Sequence, residues 1–216
     1  EFSVPVAVIS LMWVSIYNGN NPLSLSLVIL DTILSPFLIP ATLKILVGSN
    51  IKMDTAGMMK ELVFMIALPA VIAMCLNEFS HGKVMETWPK KLAPFSKMCL
   101  IFVVTSNSSK VSPYIKHLNG ERLAVTAIIL VLSASGYAIG WLIAIVTKQN
   151  KEATVSMIYG SGMRNISAGA VIAGAYFPAE CLFPVMIGTL FQQILAAFYG
   201  SLVRRVQMSQ CKKEDI

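Results

Sequence analysis

Long apolar runs alternate with short polar connections along this chain, and their lengths predict a helical membrane protein. One helix needs about 20 apolar residues to cross a bilayer. Val4 to Tyr17 is apolar but too short, and it ends at the turn formers Asn18-Gly19-Asn20-Asn21-Pro22. It reads as a half-helix followed by a tight turn, with an interfacial segment as the alternative. Full spans are expected at Leu23–Val47, Met58–Asn77, Leu92–Thr105, Leu123–Thr147, Ile158–Pro178 and Phe183–Val203. Polar loops at Gly48–Thr55, Glu78–Lys91 and Lys110–Arg122 separate them, and the very short Lys148–Lys151 makes its two flanking spans neighbours. The expected fold class is an all-α membrane protein with about six full transmembrane helices plus a half-helix. The last residues, with Arg204, Arg205, Lys212 and Lys213, read as a polar tail, disordered at its end.

One run breaks the apolar pattern from within. Ile158 to Pro178 carries Arg164, Asn165 and Ser167 in its middle, with glycines at 160, 162, 169 and 174. An arginine at mid-bilayer costs about 2.5–3.5 kcal/mol on insertion scales unless it meets a partner or water. Glycines let a backbone break or a neighbouring helix approach. The stretch is therefore expected to be a discontinuous helix lining a substrate site.

A second irregularity lies in Leu23–Val47. Ser24, Val28, Asp31 and Ser35 recur on one helical face, with Leu23, Leu27, Leu30 and Leu34 expected on an opposing face. Asp31 is the acidic residue set deepest in an apolar run. An intramembrane carboxylate points by default to a functional site with a partner, the plainer reading being a structural ion pair. Pro36 and Pro40 are expected to bend this helix, and Pro69 falls midway along another span. Gly136 and Gly140, spaced GxxxG, predict close helix packing. Gln192 and Gln193, paired in an apolar run, are expected to hold helices together.

Composition agrees. Of 216 residues, 56% are hydrophobic and 13% charged, against about 25% charged in soluble domains. The net charge of +6 sits between the apolar runs and at the end, and does not suggest a nucleic-acid partner. Cys75, Cys99, Cys181 and Cys211 form no CxxC pair, and His81 and His117 fall in different loops, so neither a disulfide framework nor metal-ligand spacing is present. No His, Cys or carboxylate pair has catalytic spacing, and Ser161 between Gly160 and Gly162 lacks the flanks of a nucleophile elbow; an enzyme is not expected. Asn107-Ser108-Ser109 matches a glycosylation pattern common by chance. Placing the C-terminus in the cytoplasm puts Lys83, Lys90, Lys91, Lys97, Lys148 and Lys151 on the inner side. Compact loops suggest a multi-pass protein of a bacterial inner membrane. The chain begins Glu1-Phe2-Ser3 on a short, broken apolar segment, and reads as a fragment.

Two motifs now combine. GNNPLSLSLVILDTILSPFLIP (Gly19–Pro40) resembles the stretch following the first crossover of the bile acid:sodium symporter family. GMRNISAGAVIAG (Gly162–Gly174) is similar to that family's second crossover. The resemblance covers essentially the whole chain and implies part of an inverted-repeat transporter fold, whose fourth helix in each five-helix repeat is unwound and crosses its counterpart near the bilayer centre. Residues 1–47 would end the first repeat, 48–203 would form the second, and 204–216 a cytoplasmic tail. A piece of this length is not expected to transport alone.

The resemblance also implies site residues. Ser24 and Asn165 match sodium ligands, while Ser161 and Met163 match positions contributing backbone carbonyls. Gly160 stands where the family often has a glutamate, Arg164 where it has glutamine, and Val28 where it has a hydroxyl residue; Leu11 and Met12 fall about where Ser-Asn is usual, with Ser10 adjacent. These departures remove oxygen ligands and add a fixed cation, which puts one or both sodium sites in doubt. The functional expectation is a secondary transporter of a small organic anion, sodium- or proton-coupled, with no cofactor beyond a possible Na+. Arg164 would replace a bound cation and pair with Asp31 or substrate, and Asn165, Ser167 and Ser24 would complete a polar lining. The alternative is a transport-inactive protein with a sensory or structural role on the same fold.

Overall fold

The computed structural model describes residues 3–47, 54–84, scattered positions between 87 and 109, and 119–214. Its regular elements are helices: α1 (Ser10–Ile16), α2 (Asn21–Val47), α3 (Thr55–Leu62), α4 (Leu68–Phe79), α5 (Gly120–Val146), α6 (Lys151–Gly162), α7 (Ile166–Tyr176) and α8 (Leu182–Glu214). A π-helical turn, Val63–Ala67, joins α3 to α4, and a 3-10 turn, Ala179–Cys181, leads into α8.

Four helical stretches are long and apolar enough to cross a membrane: Asn21–Leu46, Thr55–Phe79, Gly120–Val146 and Ala179–Val206. About six were expected. The stretch 158–178 is split between α6 and α7, and Leu92–Thr105 falls where only scattered positions are described. The loops at 48–53 and 110–118, and Asn107 and Ser108 of the glycosylation-like triplet, likewise lie outside the described residues.

Helix starts follow one chemical rule. Asn20, Asp54, Asn119 and Asn150 each accept a hydrogen bond from the backbone N–H three residues on, at 2.8–2.9 Å. Asx side chains at this position satisfy a donor that a helix start leaves free. These caps move the starts of α2, α5 and α6 upstream of the expected apolar boundaries. At the other end, α8 continues to Glu214, so the polar tail is helical to that point, and its last two residues lie outside the described residues.

Proline is accommodated rather than avoided. The π-helical turn precedes Pro69, where a helix must absorb a missing N–H and a ring clash. Pro36 leaves the Thr32 carbonyl without its usual amide donor, and the Ser35 hydroxyl donates to it at 2.9 Å. Near the N-terminus Pro5 has the opposite effect. It disfavours helix at Val4 before it, and of the expected half-helix only Ser10–Ile16 is α-helical.

The glycine pair on α5 packs against α6. A Cβ added to Gly140 would meet the Ser161 hydroxyl and lie 2.6 Å from the Met157 carbonyl oxygen. Gly140→Ala is therefore expected to destabilise the protein by about 1–3 kcal/mol through overpacking. Thermal unfolding in detergent, with the exposed Ala138→Gly change as control, checks this.

An aromatic group locks α1, α5, α6 and α8 together. Trp13, Tyr17 and Tyr159 stack with ring centroids 6.1–6.3 Å apart, and Tyr137 stacks on Tyr199 at 5.0 Å. The hydroxyls of Tyr137, Tyr159 and Tyr199 donate to the carbonyls of Gln192, Ala196 and Ala134. Polar tips buried in an apolar layer need such partners. This rigid layer fixes the positions at which the two unwound segments meet.

Candidate functional site

The centre of the molecule is a crossing of two non-helical segments. Val4–Ala7 runs antiparallel to Met163–Asn165, with Val6 opposite Arg164. Ala7 N–H donates to the Met163 carbonyl at 3.0 Å, and Asn165 N–H donates to the Pro5 carbonyl at 2.7 Å. In this pairing the amides of Val6 and Arg164 point away from each other, as in a non-hydrogen-bonded antiparallel pair. Inside a membrane each must still find an acceptor.

Side chains supply both. Val6 N–H donates to Asp31 Oδ2 at 2.6 Å, and Arg164 N–H donates to Gln192 Oε1 at 2.8 Å. α2 and α8 thus clamp the crossing from either side. Gln193 adds to this, accepting from Trp13 Nε1 at 3.2 Å. The expected glutamine contacts between helices are present, but Gln192 does something the sequence did not disclose: it replaces a helical acceptor at the break. Its only advance signal was a buried amide in an apolar run.

Arg164 and Asp31 meet at the same point. Arg164 Nη1 lies 3.6 Å from Asp31 Oδ2, and their side chains are 23% and 28% exposed, so the pair is not sealed. Arg164 Nη1 also reaches the Val4 carbonyl at 3.5 Å, while buried Nε has no hydrogen-bond partner.

The pair borders a cavity of about 370 Å³ whose walls include Leu27, Leu30, Leu34, Ile143 and Met157. The lining is thus apolar with one charged edge, not the polar nook expected. The leucines of α2 adjoin Asp31 instead of opposing it, because residues three and four apart share a helix side. Gly160 also lines the cavity, with Leu27 3.5 Å from where its Cβ would sit.

The other candidate residues are placed differently. Ser161 lines the cavity, but its hydroxyl donates within α6 and towards the Gly136 carbonyl at 2.8 Å. Met163 is fully buried, and its carbonyl serves the crossing. Asn165 caps α7, accepting from Ala168 N–H at 3.2 Å. Ser167 is exposed on α7 and does not line the cavity. Ser24 is 3% exposed and its Oγ has no hydrogen-bond partner; Ser10 Oγ is in the same condition.

Sequence comparison adds the ancestry. The SBF-like CPA transporter family matches residues 2–208. The chain belongs to that family. This is a family of transporters, not of enzymes. The chain is similar to the Bacillus subtilis uncharacterized protein YbaS, at 40% identity over 95% of this chain and 67% of YbaS. It is similar at 20% identity to the Bacillus subtilis uncharacterized sodium-dependent transporter YocS, over 88% of this chain and 59% of YocS. A rice protein named as a probable sodium/metabolite cotransporter, the chloroplastic BASS1, is 22% identical over 85% of this chain and 46% of its own length. The chain spans about half to two thirds of the length of these relatives. A distant relationship to sodium-coupled small-molecule transporters is thus established, and the protein is a multi-pass membrane protein.

The residues present fit a sodium ion unevenly. The orphaned hydroxyls of Ser10 and Ser24 are neutral oxygens of the kind a hard cation takes. Around Arg164 the fit fails: Gly160 offers no side-chain oxygen, the Asn165 amide oxygen caps a helix, and a guanidinium already occupies the crossing. Among the described residues no group of three His, Cys, Asp or Glu could hold a metal.

Proposed function

We propose that this chain forms the substrate-binding part of a secondary active transporter for a small organic anion, coupled to sodium or protons and working by alternating access. The observation that carries this reading is the Arg164–Asp31 pair, set at the crossing and open to a leucine-rich cavity. Arginine stays protonated and offers several fixed donors, and here Nε is unused. An incoming carboxylate would take two parallel hydrogen bonds from such a group. The leucines, Ile143 and Met157 suit the apolar body of an organic acid.

In this proposal Arg164 stands where relatives would hold one cation. Ser24, with Ser10 beside it in chemical character, would serve a remaining sodium, which would supply the coupling force when bound. Asn165 and Met163 support the break, and Asp31 either releases Arg164 to substrate or carries a proton. Residues 1–47 would close one repeat and 48–203 form the next, rocking about the crossing. The setting is a bacterial inner membrane with residues 204–216 cytoplasmic. The sodium-dependent and sodium/metabolite names of YocS and BASS1 support the class.

The test is uptake of a labelled bile acid, keto acid and pantothenate by the full-length protein in vesicles, with sodium replaced by choline and with Arg164→Gln. At least one anion should accumulate and depend on Arg164. Collapse of uptake without sodium, together with indifference to Arg164→Gln, defeats the idea that this arginine replaces a cation. Tight binding without flux favours the transport-inactive alternative.

A further inference from the structure

At the end of α5 the chain leaves the membrane span at Val146 and turns into α6. Lys148 sits in this turn with φ +52°, the left-handed region. Gln149 N–H donates to the Ala144 carbonyl at 2.9 Å and Lys148 N–H to the Ile145 carbonyl at 3.0 Å. This is a helix-ending motif in which glycine is the usual residue at that left-handed position. Lysine takes this conformation at an energetic cost.

Its surroundings give that lysine a use. A cavity of about 490 Å³ is lined by Lys148, Lys151, Gln149 and Thr154 on one side. Trp141, Ala144, Ile145, Val203 and Val206 form the other. Among the described residues, no carboxylate lies within ion-pair distance of Lys148 or Lys151. Arg204 and Arg205 are exposed on α8 beside Val203. Glu152, the neighbouring acid, is not part of the lining.

A cationic rim at the end of a span, continuous with an indole and an aliphatic wall, is complementary to an anionic amphiphile at headgroup depth. We infer that this cavity binds the phosphate of an anionic phospholipid, with Lys148 and Lys151 on the headgroup and the α5–α8 wall against the acyl chains. This site is separate from the crossing and does not depend on the transport reading.

The test uses the full-length protein in detergent, titrated with phosphatidylglycerol or phosphatidylcholine and followed by native mass spectrometry. Wild type should retain phosphatidylglycerol preferentially. Lys148→Gly should weaken that retention about fivefold, and Lys148→Gly with Lys151→Gln about thirtyfold. Lys148→Gly should leave unfolding in phosphatidylcholine unchanged or slightly later, since glycine adopts this backbone freely. Equal retention of the two lipids, or an undiminished preference in the double variant, overturns the site. Competition by inorganic phosphate at the lipid's own concentration overturns the lipid assignment in favour of a soluble phosphate compound.

Discussion

Arg164→Gln in the full-length protein is expected to lower organic-anion uptake by about a hundredfold, while Arg164→Lys retains an intermediate rate. Removing one partner of a partly buried charge pair costs about 2–5 kcal/mol, and about 2.7 kcal/mol is already a factor of a hundred. Lysine preserves the charge but presents a point donor in place of a planar fork. The ranking Arg > Lys > Gln, measured as initial uptake at sub-saturating anion, checks the assignment. Equal loss in Lys and Gln would mean that fork geometry matters more than charge. Equal activity in all three would remove Arg164 from the anion site.

The second large effect is on stability, at Asp31. Asp31→Leu should destabilise the fold by about 3–5 kcal/mol, because it leaves Arg164 as an uncompensated charge and also orphans the Val6 amide. Asp31→Asn should cost clearly less, since an amide oxygen can still accept from Val6 N–H. The double change Asp31→Leu with Arg164→Leu should recover part of the loss, since it leaves neither charge of this partly buried pair without its partner. Gln192→Leu probes the other side of the crossing. It orphans the Arg164 amide, for which about 1–3 kcal/mol is the usual penalty. Unfolding of the purified variants in detergent, with folding checked by size-exclusion elution, separates these terms. Asp31→Asn as damaging as Asp31→Leu would show that charge pairing, not the amide clamp, dominates.

The two experiments are linked by geometry. Asp31 accepts from backbone and pairs with Arg164 through the same oxygen, Oδ2. An anion that draws Arg164 away would leave that oxygen with the Val6 amide, so the crossing keeps one of its clamps while its charge pairing changes. A crossing that can exchange one ionic partner without losing its backbone bonds is the mechanical condition for a site that binds and releases substrate. It also explains why an extended pairing at mid-membrane persists: the outward amides of Val6 and Arg164 both have acceptors.

Much of this was legible in advance for local reasons. Apolar run length reports that the chain crosses as helices, because lipid demands it residue by residue, but about six spans were expected and four are found among the described residues. Arg164 amid glycines announced a break, and Asp31 announced a partner, since each charge is costly in hydrocarbon without relief. Other features were not legible. Four Asx caps set helix starts upstream of the apolar runs, because a cap satisfies backbone donors wherever the apolar run begins. Ser167 shares the polar segment with Arg164 yet faces outward, because the break resets the helical phase between α6 and α7. Gln192 is far from Arg164 in sequence, and nothing in its own neighbourhood says that it will accept that residue's amide.

The sequence alone settled that this is a helical membrane chain, that its sixth apolar run is interrupted at Arg164, and that an acidic residue in the span at Leu23–Val47 needed an answer. These follow from the cost of putting charge and unpaired backbone into a bilayer, which acts on each stretch independently. Tertiary structure decided which groups meet that cost. The 3.6 Å approach of Arg164 to Asp31, the paired segments at Val6 and Arg164, and the amide held by Gln192 join residues distant along the chain. Only the packing of α1, α5, α6 and α8 around the aromatic layer, with α2 against α1 and α6, brings those residues together.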